Sequence, residues 1–244
     1  MTEVAKQAGA PVPPAQASPY RRPRDAATLI LIDRSSHPPK VLLGRRHQNH
    51  VFMPGKFVFP GGRVEPQDRL MPVVKPLHPQ AEAWLMKQTA RPSAARARAF
   101  ALAAIRETFE ETGLLLGGKR ADAPRVPGGV WSDFAKTGFY PDLSAIHFIA
   151  RAVTPPGRSR RFDARFFCAD ADAIAHRVED VIHADAELVE LVWLPITEAK
   201  RLDLSIITSR VLDELEARSA AGLTHDLPVP FYRIRGRRQG RELL

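Results

Sequence analysis

Along the chain the apolar residues first gather into two short runs, AATLILID (residues 26–33) and KVLLGRR (40–46), with RSSHPP between them. Branched side chains on either side of a proline-containing break predict two strands joined by a turn. FVFPGGRV (57–64) reads as a further strand running into a glycine turn. From Glu65 to Pro92 prolines recur and no period lasts, apart from a short helical stretch at PQAEAWLMKQ (79–88), so residues 69–91 are set apart as an inserted lobe. The pattern changes at RPSAARARAFALAAIRETFEETG (91–113). Pro92 and Ser93 give a start signal, no Gly or Pro intervenes, and Gly113 supplies the stop, which predicts a long helix. At about 100° per residue, Leu102, Ile105 and Phe109 share one face, and Glu107, Glu110 and Glu111 fall on the opposite one. Strand-like runs follow at AIHFIARAV (145–153), ARFFCA (164–169) and LVELVWLP (188–195), then a helix from about Ile206 to Arg218. Residues 1–24, rich in Ala, Pro and Gln, read as a disordered leader, 25–222 as one domain, and 223–244 as a basic tail.

Composition agrees with a folded domain: 244 residues, 44% hydrophobic and 26% charged, suffice for a sizeable core. No apolar run approaches the roughly 18 residues of a spanning helix, and the N-terminus lacks the basic start and apolar stretch of a secretory signal. The expectation is a cytoplasmic protein without a membrane partner. The single cysteine, Cys168, excludes an internal disulfide and a cysteine-built zinc site, and in RFFCA it reads as a small buried apolar side chain. A net charge of +9 invites a nucleic-acid reading. The charge, however, is concentrated in YRRPR (20–24), GRSRRFDAR (157–165) and RIRGRRQGR (233–241), with few aromatic residues among them and no nucleic-acid-binding motif. These runs are read as solvated basic segments and a positive rim, able to attract a polyanionic small molecule.

Against that background RETFEETG (106–113) stands out. Three carboxylates at i, i+3 and i+4 repel one another, and at the C-terminal end of a helix they also oppose the macrodipole. The Arg106–Glu110 pair offsets only a few tenths of a kcal/mol. A hard divalent cation is the natural remedy, because Mg2+ prefers carboxylate oxygens and keeps its remaining positions for water and phosphate. An acidic face left to solvent is the plainer alternative, and the neighbouring sequence decides between them.

GGRVEPQD (61–68) followed by RETFEETGL (106–114) resembles the Nudix box, G-x5-E-x7-R-E-U-x-E-E-x-G-U, where U is bulky and apolar. Gly62 matches the first glycine, and Arg106, Glu107, Glu110, Glu111, Gly113 and Leu114 match the second half. Thr108 takes the first U position. Asp68 stands where the family has its first glutamate, and 37 residues separate it from Arg106 where the family has seven. That split resembles a subgroup of Nudix hydrolases that includes acyl-coenzyme A diphosphatases of animal organelles. TPPGRSRRFDARFF (154–167) is similar to a segment of that subgroup, and LVWLPITEA (191–199) to the last strand and helix start of Nudix domains.

The resemblance implies an α/β fold, an α/β/α sandwich with a mixed sheet and an insertion lobe inside the box. It also implies hydrolysis of a diphosphate linked to another moiety, with Mg2+ or Mn2+ as cofactor. Glu107, Glu110 and Glu111 are the expected metal ligands, the backbone at Gly62 approaches the ion, and Arg106 orients Glu107. Asp68, with Glu65 as its rival, and Glu187, with Glu190 nearby, are further candidate acids. Arg161, Asp163 and Arg165 form either a substrate-binding group or an internal ion-pair network, and Arg160 lies beside them. The partner is a small-molecule diphosphate, coenzyme A or acyl-coenzyme A by preference. A nucleotide sugar, NADH or a dinucleoside polyphosphate is the alternative, as is a catalytically silent nucleotide-binding regulator. A homodimer is left open.

Overall fold

The computed structural model describes residues 22–50, 53–235 and 238–244. Most of the expected leader lies outside the described residues, and Arg24 already opens the first strand. In chain order the elements are β1 (Arg24–Asp33), β2 (Lys40–Arg46), β3 (Phe57–Val58), β4 (Gly61–Arg63), α1 (Pro79–Met86), α2 (Ala94–Thr112), β5 (Leu114–Lys119), α3 (Val130–Lys136), β6 (Phe139–Pro141), β7 (His147–Val153), β8 (Phe162–Asp170), β9 (Ile174–Arg177), β10 (Leu188–Pro195), α4 (Ile196–Ala199), α5 (Ile206–Ala220), β11 (Pro230–Arg235) and β12 (Arg238–Leu243).

The main sheet runs β10-β2-β1-β8-β7-β11-β12, with β3 beside β2 and β4 beside β1. It is mixed: β1 pairs with β8 and β7 with β11 in parallel, and the other pairings are antiparallel. Strand β1 is buried on both faces, which explains why its sequence is an almost continuous apolar run. Its alternate residues feed two cores. Ala27, Leu29 and Leu31 pack with α2, while Ile30 and Ile32 pack with Val211, Leu212 and Leu215 of α5. The sheet is thus the middle layer between α2 on one side and α5 on the other, and a small sheet, β6-β5-β9, joins the α2 side.

Helix α2 begins at Ser93, whose side chain accepts the Arg96 N–H, and stops at Gly113 in the left-handed conformation (φ 74°). Two expectations change here. Residues 69–91 do not stand apart from the core: Met71, Leu77, Ala81 and Leu85 are buried in the same cluster as α2. Nor is 223–244 a solvated tail. Val229, Phe231 and Tyr232 are buried apolar anchors, and β11 and β12 form a hairpin that joins β7. After these anchors Arg233 pairs with Glu242 (2.8 Å) and Arg241 with Glu214 (2.8 Å). Among the described residues no helix is long and apolar enough to cross a membrane.

Candidate active site

The split halves of the motif meet under the C-terminal half of α2. Strand β4 sets Gly62 opposite Ala27 of β1, directly beneath Glu107. A Cβ placed at Gly62 would overlap the Glu107 carboxylate, so only glycine leaves room for it. The next amide, Gly61 N–H, donates to Glu111 Oε2 at 3.2 Å. The glutamates do not form the solvated face that the helical period suggests, because α2 is enclosed by the sheet on one side and by α1, α3 and β5 on others. Glu111 is 6% exposed. Only Glu110 is open, at 50% side-chain exposure.

Arg106, almost fully buried, organises the group. Its Nη1 donates to Glu107 Oε1 (2.9 Å) and more weakly to Glu110 Oε2 (3.4 Å), while Nη2 reaches Arg63 O (2.7 Å). Its Nε donates to Asp68 Oδ1 at 2.8 Å. Asp68, 38 residues earlier than Arg106 in the sequence, therefore occupies the place expected of the first glutamate, but as the counter-charge of Arg106. It is fully buried, which removes it from the acids that could face a ligand. Glu65 is exposed, and its N–H donates to Asp68 Oδ2 (2.7 Å).

Burial gives these carboxylates an unusual affinity for protons. It pushes Glu107 up to about 7, against the pull of Arg106 and with further upward pressure from Glu110 and Glu187. Glu111 is held well above the ordinary carboxylate range, first by burial and then by Glu187 and Glu107. Glu187 thus lies within electrostatic reach of both. Its carboxylate pairs with Arg46 (2.9 Å), the last residue of β2, and with His50 (3.4 Å) in the turn after it, residues that the sequence motifs do not single out. Glu190 is instead bound to Arg45 (2.6 Å).

Among the described residues no three carboxylate, imidazole or thiol groups converge on one point as they stand, since Glu107 is turned onto Arg106 and Glu111 onto Gly61. The donor set nonetheless suits a hard divalent cation: it is all oxygen, it is crowded, and burial raises the proton affinity of Glu107 and Glu111. A cation at Glu107, Glu110 and Glu111 would relieve that repulsion.

The R-F-D-A-R segment resolves as the ion-pair alternative. Arg165 is 1% exposed and pairs with Asp163 (3.0 Å) and Asp25 (3.3 Å), its guanidinium 3.9 Å from the Phe100 ring centre. Asp163 is also held by Arg151 (2.7 Å). These side chains sit within the sheet under the N-terminal half of α2, so Asp163 and Arg165 are not available to a substrate. Arg161, at the start of β8, donates to Thr154 O (3.1 Å), and Arg160 is exposed. Two shallow cavities, about 340 and 370 Å³, lie against α5, on the far face of the sheet, and share no residue with the carboxylate group.

No family profile matches the chain. It is 30% identical over 237 residues to the acyl-coenzyme A diphosphatase NUDT19 of Gallus gallus, a match covering 72% of this chain. The chain spans 62% of the length of that relative. Its fold is similar to the crystal structure of a NUDIX hydrolase from Alicyclobacillus acidocaldarius, with a TM-score of 0.65 and 26% identity over 85% of this chain and 97% of the other.

Proposed function

The chain has the Nudix hydrolase fold, and from that premise we propose that it is a divalent-metal-dependent hydrolase of a diphosphate linkage. The observation that carries the reading is the set of carboxylates kept against their own stability: Glu107 facing Gly62, Glu111 on the Gly61 amide, and both with raised proton affinity. A protein under selection for stability alone has no reason to bury them. Glu107, Glu110 and Glu111 would hold Mg2+ or Mn2+, which when bound supplies charge neutralisation of the diphosphate and acidifies the attacking water. Arg106 fixes Glu107 through one nitrogen while Asp68 and the Arg63 carbonyl fix Arg106. Glu110, the exposed member of the three, would face incoming substrate. Arg46 and His50 restrain Glu187 beside the group.

For the substrate we propose coenzyme A or an acyl-coenzyme A. The similarity to an acyl-coenzyme A diphosphatase supports this, as does the basic β7–β8 loop. With Arg165 buried, Arg160 and Arg161 are the remaining candidates to read the adenosine 3′-phosphate, since a guanidinium offers two parallel donors to phosphate oxygens. The test is a panel of diphosphate compounds with Mg2+ or Mn2+, products read by mass. Coenzyme A should yield 3′,5′-ADP and 4′-phosphopantetheine, faster than its 3′-dephospho analogue yields the corresponding products. Equal rates on the two would mean that the 3′-phosphate goes unread and would favour a nucleotide sugar or dinucleotide. Tight nucleotide binding without any turnover would make the chain a regulator.

A further inference from the structure

We infer that Trp131 is a positioning residue for the carboxylate site, acting through Asp68 and Arg106; this deepens the reading above and rests on it. Trp131 lies on α3, in a segment with no counterpart in the motif, and it is fully buried. An indole N–H is a donor with no acceptor role, and when buried it needs a partner. Here it donates to Asp68 Oδ1 at 3.0 Å.

That bond completes the coordination of a buried anion. Asp68 Oδ1 receives Arg106 Nε (2.8 Å) and Trp131 Nε1 (3.0 Å), and Oδ2 receives Glu65 N–H (2.7 Å) and Arg106 Nη2 (3.3 Å). Arg106 then meets Glu107. A continuous line of donors and acceptors therefore runs from α3 through the turn at Pro66–Arg69 to the carboxylate above Gly62. The indole holds Oδ1 from the α3 side, as the Glu65 N–H holds Oδ2 from the turn. Without it Oδ1 is held by Arg106 alone, and the carboxylate can pivot on its Glu65 N–H contact, shifting the guanidinium against Glu107. Packing holds the ring for this purpose: Trp131 meets Phe134 edge-on (centroids 5.7 Å), and Phe134 meets Phe109 of α2 the same way (5.1 Å). A phenylalanine would fill most of the same space without the N–H, so its effect on the site, beyond the stability cost of the smaller ring, reads the lost donor.

Trp131→Phe tests the inference. Partners of this kind, one bond behind a ligand, typically change metal affinity or activity by about 10- to 100-fold when removed. Titration of Mn2+ followed by electron paramagnetic resonance should show affinity about tenfold weaker, and kcat should fall by a similar factor with KM for the diphosphate unchanged. Phe139→Leu is the structural control: Phe139, on β6, packs against the same core outside the Trp131–Asp68–Arg106 line, so its truncation lowers Tm but leaves Mn2+ affinity and kcat as in the wild type. Should Trp131→Phe not fold, the wild-type chain gives the answer. Its three tryptophans yield three indole N–H resonances, assigned through Trp84→Phe and Trp193→Phe. The Trp131 resonance should shift on addition of Mg2+ in step with activation, and a resonance that stays fixed would overturn the inference. So would a folded Trp131→Phe that matches the wild type in Mn2+ affinity and kcat. A wild type that neither binds Mn2+ nor cleaves a diphosphate would sink the functional reading itself, a distinct outcome.

Discussion

Replacing Glu107 by glutamine changes one charge and almost no volume, and the structure assigns opposite signs to its effects on stability and on activity. In the folded chain the carboxyl is 14% exposed and burial raises it from the ordinary 4.5 to about 7, with the Arg106 contact already acting in the other direction. The folded state therefore binds more protons than the unfolded state between those two values. Wild-type stability from this group is highest below about pH 4.5, falls as pH rises through 7, and stays low above it. At about 1.4 kcal/mol per decade, the ionised side chain costs the metal-free fold about 3 kcal/mol above pH 7.5. Glu107→Gln removes that cost, since the amide keeps an oxygen for Arg106. Urea unfolding in a chelator, run on both proteins at pH 4 and pH 8.5, reads the group together with the relief that losing its charge gives Glu111, which acts in the same direction. The variant should exceed the wild type by about 3 kcal/mol at pH 8.5 and match it at pH 4. Its hydrolytic rate with Mg2+ should fall at least about 100-fold, the usual scale for losing one preorganised electrostatic group. A variant less stable than the wild type at pH 8.5, or a stability gap that ignores pH, would refute the reasoning.

Gly62→Ala should leave unfolding free energy within about 1 kcal/mol of wild type, because the atoms it meets are the far end of a flexible side chain, yet lower turnover at least about 100-fold by displacing Glu107, measured by urea unfolding and initial rates. Arg165→Met should destabilise by less than the about 3–5 kcal/mol of an unpaired buried charge in the same unfolding assay, since Asp163 keeps Arg151 and Asp25 keeps Arg96, while turnover per folded molecule stays as it was. His147, His225 and His78 stack face to face (3.9 and 4.1 Å), and burial, then His225, hold His147 down at about 4 from the ordinary 6.5. The unfolded chain binds the extra proton in that window, so stability is full above pH 6.5 and is lost as pH falls toward 4. Thermal melts of His147→Phe should show a shallower acid limb.

What the sequence discloses follows from how local each cause is. Strand β2 occupies residues 40–46 as its apolar run predicts, and α2 ends at Gly113 because a left-handed cap is written into one residue. The meeting of Gly62 with Glu107 is legible only through the motif, since no local preference spans the inserted residues. Asp68 and Arg165 were ambiguous for a physical reason: an acid or an arginine in a motif looks the same whether it faces a ligand or a buried partner, and only burial separates the two. The C-terminal hairpin was hidden by its arginines, whose carboxylate partners Glu214 and Glu242 cannot be matched to them from order alone. Elements β5, β6 and α3 are short and glycine-flanked, β9 is short as well, and all are stabilised by tertiary contact more than by pattern. Trp131, Arg46 and His50 carry no spacing signal at all.

The most direct test of the central claim is the initial rate of coenzyme A cleavage with Mg2+ by the wild-type chain and by Glu111→Gln. Glutamine at this position keeps an acceptor for the Gly61 N–H and removes a buried charge, so the variant should remain folded and be at least as stable at neutral pH. The wild type should release 3′,5′-ADP and 4′-phosphopantetheine, and the variant should do so at least about 100-fold more slowly. A folded variant that cleaves as fast as the wild type, or a wild type that cleaves no diphosphate with either Mg2+ or Mn2+, would contradict the account.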